Sequence, residues 1–259
     1  MTHVKLLYGR GELSVDLPET SDVTLIRKPK MPKLEDPTLA VESTLSSPTA
    51  SALLKNHAKN ARTACILICD ITRPVPNSLI LGPIIRRLMT LGVPLKHITV
   101  LIATGLHRPN EGTELEELIG DPWVLENVNV ENHFARDDSA HIEVGTTKKG
   151  NRILLDRRFV SADVKIVTGL VEPHFMAGYS GGRKVIAPGV AHAETITTFH
   201  SARYMEDPLA ANCNLEGNPL HEDQLEIVEM VGGALAMNLV IDEFRNLSFI
   251  NFGEIVSSH

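Results

Sequence analysis

The chain predicts an α/β protein whose mainly parallel, Rossmann-like sheet is covered by helices and preceded by an amino-terminal β-hairpin. Three observations lead there. From Ala64 onward, short apolar runs alternate with polar loops and amphipathic stretches of helical spacing. The runs at 64–69, 98–103 and 164–170 are apolar on both faces, as strands inside a parallel sheet must be. Gly92 and Gly120 close two of the amphipathic stretches where a helix ends most easily.

The elements run in order from the amino terminus. Residues 3–8 and 12–17 flank Gly9-Arg10-Gly11 and read as a hairpin. Residues 23–26 read as a short strand, and 28–37, rich in proline and lysine, as an extended connector. Helical spacing covers 39–45 and 48–58, parted by Ser46-Ser47-Pro48. Strand 64–69 is followed by helix 78–91, strand 98–103 by helix 113–119, and 128–132 forms a third strand. Residues 142–144 and 153–155 make a hairpin around the turn at 146–150. After strand 164–170 come helices over about 191–203 and 219–231, then strands 234–241 and 247–252. No internal repeat interrupts this order, and residues 1–259 are expected to form one α/β domain.

Composition excludes several function classes. A net charge of −7 over 259 residues argues against a nucleic-acid surface, which needs clustered Lys and Arg. No apolar run reaches the length of a membrane span, and the first residues lack the apolar core of a signal peptide. Cys65 and Cys69 lie four apart on an extended strand, about 13 Å at ~3.3 Å per residue, too far for a disulfide. With Cys213 alone, the three are expected to be reduced thiols of a cytoplasmic protein.

Chemistry concentrates in three segments that each follow a strand. These are Asp70-Ile-Thr72-Arg73-Pro, Ala103-Thr-Gly-Leu-His107-Arg-Pro, and the run from Glu172-Pro-His174 through Gly181-Gly182-Arg183-Lys184. Ligands of open α/β sheets bind beyond the carboxyl ends of the strands, so the three are expected to share one cleft. A phosphate loop is excluded, because Arg183 stands before Lys184 and Val185 after it. No GxGxxG follows Cys69, which removes a conventional dinucleotide site. A lysine beside an arginine in a glycine loop is expected to have a lowered pKa and a more nucleophilic amine. Arg73 offers a fork for a carboxylate or phosphate, or ties down its own loop. Asp70 and Thr72 either serve the cleft or cap the helix starting near Asn77. His107 and His174, on neighbouring strand ends, are the candidate proton carriers. His3, His57, His97, His141, His221 and His259 are read as structural, with His133 and His192 left open. On spacing alone His200 is a poor metal ligand, since Arg203 and Tyr204 occupy the positions three and four residues on.

These segments together resemble the signature of the nickel-dependent lactate racemase family, over its amino-terminal domain. The resemblance implies a 2-hydroxy-acid racemase or epimerase with His107 and His174 as its two catalytic bases and Arg73 on the substrate. It implies a cofactor, the nickel-pincer nucleotide (nickel pyridinium-3,5-bisthiocarboxylic acid mononucleotide), attached covalently to Lys184. Asp70, Thr72, Gly181 and Gly182 would line that cofactor and His200 would complete the nickel coordination. The implied mechanism is proton-coupled hydride transfer through a 2-keto acid. The implied partners are a small 2-hydroxy acid, the cofactor-synthesis enzymes and a carboxyl-terminal domain, because family members continue beyond the point matching His259. The alternative is a non-catalytic or carrier module that binds the same nucleotide or another anionic ligand.

Overall fold

The computed structural model describes residues 2–9 and 11–259, which divide into two units, 1–31 and 32–259. In the first unit β1 (Thr2–Tyr8) and β2 (Gly11–Leu17) form the expected antiparallel hairpin, in register from Thr2 opposite Leu17 to Tyr8 opposite Gly11. Arg10, in the expected turn, lies outside the described residues. Alternation puts Val4, Leu6, Val15 and Leu13 on one face and the cross-strand Lys5–Glu12 pair on the other. The strand expected over 23–26 does not form; Ile26 is almost fully exposed and has no strand beside it to pair with among the described residues.

The second unit opens with α1 (Pro37–Ser46), started by Asp36, whose carboxylate accepts the Leu39 N–H, and by Pro37 in the first turn. Only α2 (Leu54–His57) forms where a helix over 48–58 was expected. Residue 49 instead bridges to Gly253, and its backbone is used there rather than in a helix. The core sheet comprises β3 (Ala64–Cys69), β4 (Ile98–Ala103) and β5 (Asn129–Asn132), linked by α3 (Asn77–Thr90), α4 (Gly112–Ile119) and α5 (Pro122–Asn127). A hairpin of β6 (His141–Thr146) and β7 (Arg152–Asp156) and the short α6 (Arg157–Val160) lead to β8 (Val164–Leu170). Two-residue strands β9 (Pro173–His174) and β10 (Gly178–Tyr179) come next, then α7 (Arg183–Ile186), α8 (Ala193–Phe199), α9 (Ala202–Met205) and α10 (Pro219–Met230). The helix expected over 191–203 is thus two helices, broken at His200. Strands β11 (Leu235–Ile241) and β12 (Leu247–Glu254) complete the sheet.

The strand order is β12-β11-β8-β3-β4-β5, with only β12 antiparallel to its neighbour. Starting at β3, the chain builds outward through β4 and β5, then returns to the other side of β3 at β8. Ligands of such sheets bind beside that reversal point, between β3 and β8. Each central strand buries both faces. Ile66 and Ile68 pack with Ile80, Ile84 and Val41 from α3 and α1, while Cys65 and Leu67 face Phe159, Ile186 and Ile227. Two apolar layers therefore clamp the sheet, and its strand ends are rigid mounts for the loops beyond them.

Candidate active site

A cleft of about 510 Å³ opens at the carboxyl ends of β3, β4 and β8. Asp70, Thr72, Arg73, His107, His174, Gly181, Lys184 and His200 all line it, so the three segments converge as expected and are joined by His200, 130 residues from Asp70 in sequence. Gly182 does not line it. Its φ of +46° and the 2.7 Å from a built Cβ to the His259 ring show that its missing side chain makes room for His259. Gly181, at φ +78°, would put a Cβ 2.8 Å from the Leu170 carbonyl oxygen, so only glycine lets the chain turn back under β8 there.

Asp70 sits one residue past β3 and is 5% exposed. One of its carboxylate oxygens accepts from the Thr72 N–H at 3.1 Å and hydroxyl at 2.6 Å; the other faces His107 Nδ1 at 2.5 Å. Neither Asp70 nor Thr72 caps α3, whose N-cap position is Pro76 and has no side-chain cap. A carboxylate only accepts, so the proton of neutral His107 lies on Nδ1 and Nε2 carries a free lone pair. No sequence spacing signals this pair, because its members are 37 residues apart and meet only when β3 and β4 align.

His174 has the opposite arrangement. Its Nδ1 accepts from the N–H groups of Met176 and Ala177, at 3.3 and 3.1 Å, so the proton of the neutral ring is on Nε2. Burial first, then the charges of Lys184, Arg73 and His200, pull its pKa down to about 4. The ring is therefore a neutral N–H donor over the ordinary pH range. Phe175 stacks on it with centroids 4.8 Å apart.

Lys184 stands not in an open loop but in the single helical turn α7, whose backbone N–H bonds back to the Gly181 carbonyl. Burial, with a smaller contribution from Arg73, lowers its pKa to about 8. The neighbouring Arg183, expected to act on the amine, points elsewhere; the cation facing Lys184 is Arg73. The Lys184 amine has no hydrogen-bond or ion-pair partner among the described residues. Arg73 makes only long 3.4 Å contacts to Thr72, leaving its fork open to the cleft. Cys69, also lining the cleft, keeps its proton, its pKa raised to about 11 by burial and by Asp70.

His200 follows α8, and its Nδ1–H donates to the Ile196 carbonyl at 2.8 Å, which leaves Nε2 free to ligate. Among the described residues no three His, Cys, Asp or Glu side chains are grouped to hold a metal ion. His133, His141 and His192 form a separate edge-to-face cluster with centroids 5.0 Å apart, held by Asp156 and Asp138 and away from the cleft. Both histidines left open from the sequence are thereby structural.

The family model for the lactate racemase N-terminal domain matches residues 8–212. The chain is also 33% identical over 219 residues to a lactate racemase of Lactiplantibacillus plantarum, covering 85% of this chain and 51% of that one. The chain belongs to the lactate racemase family. A lactate racemase of Thermoanaerobacterium thermosaccharolyticum is 30% identical over 251 residues, 95% of this chain and 58% of that one. The solved lactate racemase apoprotein from the same organism superposes with a TM-score of 0.85 at 28% identity, over 100% of this chain and 60% of that one. A protein from Thermotoga maritima shares the fold, with a TM-score of 0.69 at 22% identity over 84% of this chain and 55% of that one. This chain thus spans between half and three fifths of the length of the lactate racemases it matches. Among the described residues no helix is long and apolar enough to cross a membrane.

Proposed function

We propose that this family member is the histidine-bearing portion of a 2-hydroxy-acid racemase or epimerase, working with a nickel-pincer nucleotide tethered to Lys184 and with a carboxyl-terminal domain. One observation carries the reading. His107 and His174 present Nε2 atoms of opposite character, a lone pair and an N–H, to the cleft that Lys184 and His200 also line. Inverting one stereocentre needs proton-handling groups of this kind on two sides of the substrate.

The donor set fits the cofactor. Lys184 offers an unpaired amine with a depressed pKa, suited to a covalent tether. A single histidine with a free Nε2 and no clustered companions cannot hold a metal alone, but can complete one carried within an organic frame. When bound, the nucleotide supplies a reversible hydride acceptor. The protein's residues do the rest. Arg73 holds the substrate carboxylate by its open fork, fixing the α-carbon between the histidines. His107 takes the hydroxyl proton on Nε2, and Asp70 stabilises the resulting imidazolium through Nδ1–H. The His174 Nε2–H donates to and polarises the oxygen of the 2-keto acid, and the proton held on His107 Nε2 returns to that oxygen when the ketone is reduced from its other face. We assign the chain to the cytoplasm, with three free thiols and the cofactor-synthesis enzymes as partners there.

Intact mass after co-expression with the cofactor-synthesis enzymes, followed by chiral assay of lactate, malate and longer 2-hydroxy acids, tests this. The expected result is an adduct on Lys184, little turnover by the 259-residue chain, and racemisation once a family carboxyl-terminal domain is supplied. An adduct without turnover on any 2-hydroxy acid would replace the enzyme by a carrier, and absence of an adduct would remove the tether.

A further inference from the structure

His259 lies outside the cleft, yet its ring touches the backbone from which Lys184 projects. Its Nε2 meets the Ser180 carbonyl at 2.6 Å and its Nδ1 meets Arg183 Nη1 at 3.0 Å. A carbonyl accepts and a guanidinium donates, so the ring is neutral with its proton on Nε2. One ring thus ties both ends of residues 180–183, packed in the space that Gly182 leaves open.

Arg183 makes this contact consequential. It is 3% exposed, no carboxylate pairs with it, and its Nε and Nη2 are buried without partners. Its bond to His259 is the only side-chain hydrogen bond of a buried guanidinium among the described residues. Removing that acceptor strips a buried cation of its last side-chain hydrogen bond, which is relieved by turning the arginine out to water. Such a movement unwinds α7, where Lys184 is the next residue. The ring is itself anchored to the sheet. The Ser258 carbonyl accepts from Asn238 Nδ2 at 3.0 Å and from Asn251 Nδ2 at 2.7 Å, residues of β11 and β12.

We propose that His259 is a positioning residue for the Lys184 amine, clamping the turn at 180–183 against the sheet so that the lysine stem enters the cleft. The inference rests on the tether reading of Lys184 for its purpose, not for its geometry. Charged and titratable groups facing the pair are Arg73, Cys69 and His174 toward Lys184, and Arg183 and His221 toward His259.

The test compares wild type with His259→Phe, which fills the ring volume without hydrogen bonds, and His259→Gln, whose amide can donate to Ser180 and accept from Arg183. The measurement is the pH profile of Lys184 acetylation by a neutral N-hydroxysuccinimide ester, mapped by peptide mass, beside covalent loading on co-expression. Wild type should titrate near 8, the Gln variant should follow it, and the Phe variant should move toward the ordinary lysine value of 10.5. Loading of the Phe variant should fall by roughly tenfold or more, since free amine falls about tenfold for each unit of pKa. An unchanged Phe profile, or equal damage in the Gln and Phe variants, overturns the proposal. Should wild type take no adduct while the three profiles separate as expected, the tether reading fails and the positioning role stands.

Discussion

His107 Nδ1 and Asp70 Oδ2 are 2.5 Å apart, a buried carboxylate holding the ring of a histidine that lines the cleft. The pairing fixes which nitrogen can accept a proton, and the carboxylate is itself held by the Thr72 N–H and hydroxyl. Asp70→Asn can turn its amide N–H toward Nδ1, which moves the ring proton to Nε2 and removes the base. Turnover of the cofactor-loaded, reconstituted enzyme should fall by about 10²–10⁴ in both directions, as expected for loss of a general base. Chiral chromatography of each lactate enantiomer measures it, and an undiminished rate would show that the pair has no catalytic part.

His174 predicts an acid sensitivity. Its pKa is about 4 in the folded chain against 6.5 in the unfolded one. Between those values the unfolded state binds more protons, so the contribution is fully present above 6.5 and lost as pH falls through 4. His221, also lowered to about 4, contributes with the same sign. Urea unfolding at pH 7 and pH 4.5 should show a stability loss that His174→Phe reduces. An NMR titration placing the His174 midpoint near 6.5 would contradict the burial argument.

Lys184 and His200 should separate tether from metal. Lys184→Ala should abolish covalent loading and leave the melting temperature unchanged or slightly higher, since the amine has no partner to lose. His200→Ala should keep the adduct and lose nickel, read by metal analysis of matched samples. Nickel retained in that variant points to His107 or His174; His192 is excluded by its bonds to Asp138 and to the start of α8.

Gly181→Ala tests the backbone. At φ +78° the new Cβ would meet the Leu170 carbonyl oxygen at 2.8 Å, strain worth about 1–3 kcal/mol. Thermal unfolding should register that loss, and Lys184 loading should drop with it. A variant as stable and as readily loaded as wild type would show that the turn under β8 has slack.

Much of this protein is already in its sequence, because local pattern is enough to specify it. Runs apolar on both faces marked β3, β4 and β8 to the residue, and the three segments beyond them, with His200 downstream, named eight of the residues that line the cleft. Neighbouring parallel strands end at the same edge of the sheet, so the loops beyond β3, β4 and β8 have to meet. The strand expected at 23–26 and the helix expected at 48–58 failed because apolar composition alone does not supply a neighbour or a continuous hydrogen-bond ladder. Tertiary structure alone decided the protonation pattern: Asp70 turned His107 into an acceptor and two backbone N–H groups turned His174 into a donor. It also decided which cation faces Lys184, Arg73 and not the adjacent Arg183, since consecutive side chains in a helical turn point apart. Hydrogen-bond direction and desolvation depend on groups brought from elsewhere in the chain, and no spacing within one segment encodes them.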